Sequence, residues 1–413
     1  MRDNALAGAL IRAGHQVTLV PLYTPLRSDE RDVSIGRVFY GGINLYLQHA
    51  SGLFRHTPRW LDWLLDRNWL LRLAGRKAGS TDPRNLGPLT ISVLEGEHGP
   101  TRKELARLMR FLADTVQPDV VTLPNAMFIG AARPIRRTLG VPVVCELSGE
   151  DLFLDQLPDR FRRQAYDIIA DSAADVARFT ASSRYFAERM KVAMRLPADR
   201  VEVVYPGVSV NDFPAAPPRP AGRKPTVGFL ARICPAKGLD HLLRAMAELH
   251  RRPGCEAAQL RTAGYLGPGD QAWFDKVRDE LVRRAGLTDS HTHLGEVDRA
   301  GKISLLHSID LFSVPARFPE PKGIYVLEAL AAGVPVVQTA RGSFPELIEA
   351  TGGGVLVPPD DPAALADGLA DLLRDEPRRL ELARAGRAAV LDRFTDTRMA
   401  ENMLAVYQRA MGK

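Results

Sequence analysis

Short runs rich in Val and Leu recur along the chain, separated by segments whose apolar positions repeat at helical spacing. The runs "HQVTLVPL", "DVVTL", "VPVVCEL", "RVEVVYP", "PTVGFLA", "LFSVPA", "VPVVQTA" and "GGVLVPP" have the composition of buried parallel strands. Between them lie amphipathic stretches such as 101–115, which opens on Thr101-x-x-Glu104, the spacing of a capping box. Alternation of this kind predicts an α/β chain with doubly wound parallel sheets. The Pro- and Ala-rich stretch "NDFPAAPPRPAGRKP", 211–225, interrupts it, and a fresh strand follows directly. The expected hinge lies just before it, near 206–212. That gives an N-terminal domain over 1–206 and a C-terminal domain over 207–395, with the helical tail 396–413 packing back on the first. Each part is long enough for its own sheet, and ligand is expected at the carboxyl ends of the strands.

One helix carries a charge among apolar residues. In "FPEPKGIYVLEALAAGVPVV", 318–337, Ile324, Leu327, Glu328 and Ala331 share a face, while Tyr325, Val326, Ala329 and Ala332 make the opposite face apolar too. A helix that is apolar all round is buried. A carboxylate there is costly unless it is paired or protonated. Gly323 permits a tight turn into the helix, whose first amides suit a phosphate, and Gly333 and Pro335 end it. Glu320 in the preceding loop supplies a second carboxylate. One carboxylate can accept hydrogen bonds from two vicinal hydroxyls, as sugars and ribose present them. Two readings follow: Glu328 meets a ligand hydroxyl, or it pairs with an interior arginine.

A second constellation lies in "VGFLARICPAKGLDHLLRA", 227–245. Arg232 and Lys237 sit in a loop directly after a strand, and Gly238 and Asp240 lead into the next helix. Two cations at a strand end beside a helix start suit a diphosphate. Alone, they read equally well as solvated surface cations; beside the glutamate helix, the diphosphate reading gains weight.

Composition narrows the class without choosing within it. The 413 residues are 45% hydrophobic and 25% charged, ordinary for a globular protein, and no run approaches a membrane span. Cys145, Cys234 and Cys255 are too widely spaced for a disulfide framework or a metal cluster, which suits a reducing, cytoplasmic setting. The net charge of +6 is compatible with an anionic partner. No basic-aromatic motif of a nucleic-acid binder accompanies it. The stretch 55–77 holds Trp60, Trp63 and Trp69 among Arg and Lys, and reads either as a helical insert or as a peripheral contact with an anionic membrane.

The pair Glu320 and Glu328 (E-x7-E), the pair Arg232 and Lys237 (R-x4-K), and the blocks "RTAGYLGPG", "HLGEVDRAGKISLLHSIDLFSVPA" and "GSFPELIEATGGGVLVPPDD" resemble, in that order along the chain, the retaining glycosyltransferases of family 4. The resemblance implies the GT-B fold, two Rossmann-like domains facing a cleft, and a metal-independent hexosyltransferase that moves a sugar from a UDP- or GDP-sugar to an acceptor hydroxyl. No cofactor is implied, because the nucleotide sugar is a co-substrate. By the same resemblance Glu320 would hold the donor sugar, Glu328 the ribose, and Arg232 and Lys237 the diphosphate. Gly323, Ile324, Tyr325 and Val326 would border the phosphates, and Tyr265, Leu266 and Val297 the base. No Asp-x-Asp pair occurs in the chain, so the cations and helix amides would carry the leaving-group charge.

Two departures concern the first half. Ser148 stands in "VVCELSGEDLF" where the family often has histidine. The chain also opens on a helix, "MRDNALAGALIRAG", where the family has a strand, so the native start is expected upstream of Met1, with the central strand of the first sheet missing. Glu150 and Asp151 would serve the alternative of a UDP-sugar epimerase of the same fold. A nucleotide-sugar binding protein without transfer activity is the non-enzymatic alternative.

Overall fold

Runs of Val and Leu need apolar cover on both faces, and helices packed over parallel sheets provide it. The computed structural model describes residues 2–22, 30–36, 38–39, 83–214, 220 and 222–412. It divides into two units, Met1–Tyr205 with Met399–Lys413, and Pro206–Arg398. The fold class is α/β with two parallel sheets.

The first unit holds β1 (Val121–Leu123), β2 (Val143–Leu147), β3 (Arg178–Ala181) and β4 (Val201–Val203), paired in that order and all parallel. Every residue of β2 is buried. Its Glu146 pairs with Arg2 of the helix Arg2–Arg12, which is buried as well. That helix packs Ala5, Leu6, Ala9 and Leu10 against Met399 and Met403 of the helix Asp396–Ala410.

The second unit contains β5 (Thr226–Leu230), β6 (Gln259–Ala263), β7 (His291–His293), β8 (Leu311–Phe312), β9 (Val336–Thr339) and β10 (Gly354–Val357). Their spatial order is β10-β9-β8-β5-β6-β7, all parallel. The chain therefore starts in the middle at β5, runs outward to β7, and returns to β8 on the other side of β5. The direction of winding reverses between β5 and β8, the place where doubly wound sheets bind ligands at the strand carboxyl ends. Val227 and Gly228 pair there with Leu311 and Phe312.

Several expectations need correction. The run "HQVTLVPL" forms no strand; only Leu19 and Leu22 make isolated parallel bridges, to Ser34 and Phe39. Pro21 removes an amide from the middle of that ladder. Among the described residues no strand pairing joins this segment to β1. Thr101 does not cap its helix, because its hydroxyl donates to the Ser92 carbonyl at 3.0 Å instead. "LFSVPA" contributes only two residues to β8, since the chain curls after Ser313 with Ala316 N–H bonded to the Val314 carbonyl. Strands β3, β6 and β7 carry too many polar residues to stand out as apolar runs. The tryptophan segment 55–77 lies outside the described residues. Among those that are described, no helix is long and apolar enough to cross a membrane.

The edge strand β7 carries a pH-sensitive contact. The hydroxyl of buried Thr262 lies 2.9 Å from His291 Nε2 and 3.0 Å from His293 Nδ1. Burial, with His293 alongside, pushes the His291 pKa from 6.5 down to about 4. The neutral ring is thus favoured in the folded state, and the unfolded chain takes up the proton first as pH falls. Stability is unaffected above pH 6.5 and declines as pH drops from there toward 4. Melting curves between pH 7.5 and 5 should therefore fall less steeply for His291→Gln than for the wild type. Parallel slopes would contradict this account.

Candidate active site

The reversal between β5 and β8 gathers the two constellations. Arg232 and Lys237 follow β5, while Glu320 and the helix Ile324–Ala331 follow β8. The helix is buried on nearly every side, with Val326, Leu327, Ala329 and Leu330 all at 0% exposure. Gly323, at φ 63°, is its N-cap, and a Cβ there would meet Leu347 at 2.5 Å, so only glycine fits both the turn and the packing. Gly333 at φ 75° closes the other end by donating to the Leu330 carbonyl.

Glu320 is held twice over. Its backbone carbonyl accepts from Ser343 N–H at 2.8 Å, and Gly342 packs so closely that a Cβ would lie 2.4 Å from the Glu320 nitrogen. Its Oε2 accepts from Lys237 Nζ at 2.6 Å and from the Tyr325 hydroxyl at 3.0 Å. Two charged groups that would each serve a donor are thus spent on each other in the free protein. Arg232 behaves likewise: its Nη2 donates to Asp270 at 2.8 Å, and that bond raises the guanidinium pKa further.

Glu328 is 5% exposed, and Lys302 Nζ, also buried, lies 2.6 Å from its Oε1. Arg299 Nη1 stands 3.9 Å from the same oxygen, with its guanidinium 4.9 Å from the Phe213 ring. The charge of Glu328 is therefore compensated from within the protein, chiefly by a lysine. The signal lay in the helix Arg299–His307, where Lys302 shares the buried face with Leu305 and Leu306.

The residues expected near the base also converge. Ile233 N–H donates to the Tyr265 carbonyl at 2.9 Å, Ile233 bridges to Leu266, and Gly264 N–H reaches the Gly295 carbonyl at 2.8 Å, two residues before Val297. Tyr265 is 37% exposed. Val326 is the exception. Its side chain is fully buried and its amide is bonded to the Gly323 carbonyl at 2.9 Å, so it has nothing to offer a phosphate. The amides of Ile324 and Tyr325 are the first two of the helix, ahead of any intrahelical carbonyl.

In the first unit Ser148 follows β2, and its hydroxyl donates to the Pro124 carbonyl at 3.2 Å. Glu150 accepts from the amides of Ala126 at 3.0 Å and Ser148 at 2.6 Å, and Asp151 from Arg189 at 2.6 Å. Both acids thus have partners within the first unit.

Residues 4–212 match the family described as Glycosyltransferase Family 4, and residues 214–389 match Glycosyl transferases group 1. The chain belongs to glycosyltransferase family 4. This family-4 chain is 30% identical over 382 residues to the GDP-mannose-dependent alpha-(1-6)-phosphatidylinositol monomannoside mannosyltransferase of Mycobacterium tuberculosis, covering 84% of this chain and 89% of that one. The D-inositol 3-phosphate glycosyltransferase of Stackebrandtia nassauensis is 27% identical over 99% of this chain and 95% of its own length, whereas several other curated relatives are matched over 48% to 56% of theirs. Among solved structures, the sucrose-phosphate synthase (tll1590) of Thermosynechococcus elongatus aligns with a TM-score of 0.70 at 19% identity, over 98% of this chain and 92% of that one. Anabaena Alr3699/HepE in complex with UDP-glucose aligns with a TM-score of 0.63 at 18% identity, over 94% and 98%. The family-4 chain thus has the GT-B fold, built from two parallel-sheet α/β units.

The buried pair makes a stability prediction. Removing one partner leaves an uncompensated charge inside the protein, at a cost of about 3–5 kcal/mol. Lys302→Met should show that loss in urea unfolding, and adding Glu328→Gln should recover most of it. Equal stabilities for wild type and Lys302→Met would mean that Glu328 does not depend on Lys302.

Proposed function

We propose that the chain transfers a hexosyl group from a nucleoside diphosphate sugar to an acceptor hydroxyl, with retention of anomeric configuration and without a metal ion. The observation that carries this reading is the meeting of Lys237 with Glu320 and Tyr325 at the start of the helix Ile324–Ala331, beside the β5/β8 reversal, with Arg232 in the same loop as Lys237. Arg232 and Lys237 would turn from Asp270 and Glu320 to the diphosphate, aided by the amides of Ile324 and Tyr325. Glu320 would then accept from the sugar hydroxyls, and Glu328 from the ribose. The bond from the anomeric carbon to the diphosphate breaks as the acceptor oxygen bonds the same carbon from the same face. The acceptor proton passes to the departing phosphate oxygen. Positive charge aimed at that oxygen lowers the barrier where the negative charge develops. The GDP-mannose of one relative and the UDP-glucose bound in a similar fold support a GDP- or UDP-sugar as donor.

A panel of UDP- and GDP-sugars, scored by thermal stabilisation and by release of nucleoside diphosphate with an added acceptor, tests the proposal. Arg232→Ala and Lys237→Ala should each weaken nucleoside diphosphate binding about tenfold or more, the range of one charge-assisted hydrogen bond, and leave the bare nucleoside unaffected. Equal losses for both ligands would overturn the diphosphate assignment. Stabilisation by a donor without any sugar release would leave a binding protein in place of an enzyme.

A further inference from the structure

The donor-site reading asks Lys237 and Glu320 to separate, and separation of a close pair raises a question of restraint. A carboxylate that loses its only partner is free to rotate, and an ammonium that loses its carboxylate is free to swing into solvent. Here neither would be. Lys237 Nζ lies between two aromatic rings, 4.7 Å from the Phe318 centroid and 5.0 Å from that of Tyr325, and those faces attract a cation whether or not Glu320 is bonded to it. The Tyr325 hydroxyl reaches the same Glu320 oxygen that Lys237 holds. The Tyr325 ring is wedged between Phe312 of β8 and Phe344, both fully buried, with centroids 6.2 Å away on either side.

We infer that Tyr325 is a positioning residue with two separable parts: its ring keeps Lys237 in place for the diphosphate, and its hydroxyl keeps Glu320 aimed at the sugar once Lys237 has turned away. Burial and the neighbouring Glu320 push the phenol pKa well above its ordinary value, so the hydroxyl keeps its proton and remains a donor. The other carboxylate oxygen of Glu320 has a longer contact, 3.4 Å from the Lys322 amide, and is the one turned toward incoming hydroxyls in this scheme. The inference rests on the donor-site reading and adds to it a side chain whose effect divides between the two halves of the donor.

Two substitutions separate the parts. Tyr325→Phe keeps the ring and loses the hydroxyl; Tyr325→Leu loses both. Titration calorimetry of the full chain with UDP, UDP-glucose, GDP and GDP-mannose reads each half of the donor. Tyr325→Phe should bind UDP or GDP as the wild type does. It should lose the extra affinity conferred by the sugar, together with about ten- to hundredfold in transfer rate, the effect of one hydrogen bond to a charged group. Tyr325→Leu should weaken UDP or GDP binding as well. A Phe variant with sugar-dependent affinity and transfer rate like those of the wild type overturns the inference while leaving the donor reading intact. Equal losses for nucleotide and nucleotide sugar in the Phe variant also overturn it, because a general structural defect would do the same. Failure of the wild type to bind any of the four ligands overturns the donor reading, and this inference with it. Melting temperatures of both variants, compared with wild type, exclude loss of fold as the cause.

Discussion

A carboxylate inside a protein has to meet positive charge, and two such carboxylates shape the centre of the second unit. Glu328 stands on a helix buried on nearly every side, and Lys302 is buried opposite it at 2.6 Å. Glu320 stands in the loop before that helix, with Lys237 at the same distance. Burying an ion pair rarely adds net stability, because desolvation offsets the attraction. Packing alone therefore gives little reason for placing two pairs here. A site that offers such charges to a ligand, as proposed above, would give one. On the proposed reading, Lys237 and Glu320 are held, neutral as a unit, beside the place where they would be used.

Topology brings together the loops that carry Lys237 and Glu320. Because β5 and β8 are neighbours although far apart in sequence, the loop with Arg232 and Lys237 faces the loop with Glu320. The parallel order of the sheet fixes this before any side chain is considered. Gly342 then lets a backbone segment pack directly on Glu320, and Gly323 turns the chain sharply into the helix. Around this centre the rings of Tyr325, Phe318, Phe312 and Phe344 cluster, with Lys237 Nζ 4.7 Å from the Phe318 centroid and 5.0 Å from that of Tyr325.

Much of this was legible from the chain alone, and for physical reasons. Strands such as "VPVVCEL" and "VPVVQTA" are apolar on both faces, so they announce themselves. The helix Ile324–Ala331 was readable to within one residue, since Gly at each end leaves little freedom in where it can stop. Polar strands were not readable: β7 is "HTH" at the sheet edge, where one side needs no apolar cover, and β6 carries an exposed arginine. Partners across the fold were harder still. Lys302 and Glu328 are 26 residues apart and meet only because their helices pack together. The spacing of Glu320 and Tyr325 says nothing about a hydrogen bond between them, because it depends on the turn at Gly323. Thr101 shows the opposite failure, a correct local signature whose hydroxyl finds a better partner at Ser92.

The central claim is that the Lys237–Glu320 and Arg232–Asp270 contacts give way to a nucleotide sugar. A crystal structure of the chain with a bound nucleotide sugar that stabilises it, UDP-glucose and GDP-mannose being the first to try, tests this most directly. The account predicts the diphosphate within hydrogen-bond distance of Arg232 and Lys237, sugar hydroxyls on Glu320, and ribose hydroxyls on Glu328. It also predicts Lys237 Nζ withdrawn from its 2.6 Å contact with Glu320 while the Tyr325 hydroxyl stays on the carboxylate. A nucleotide bound elsewhere, with the Lys237–Glu320 and Arg232–Asp270 contacts unchanged, would contradict it.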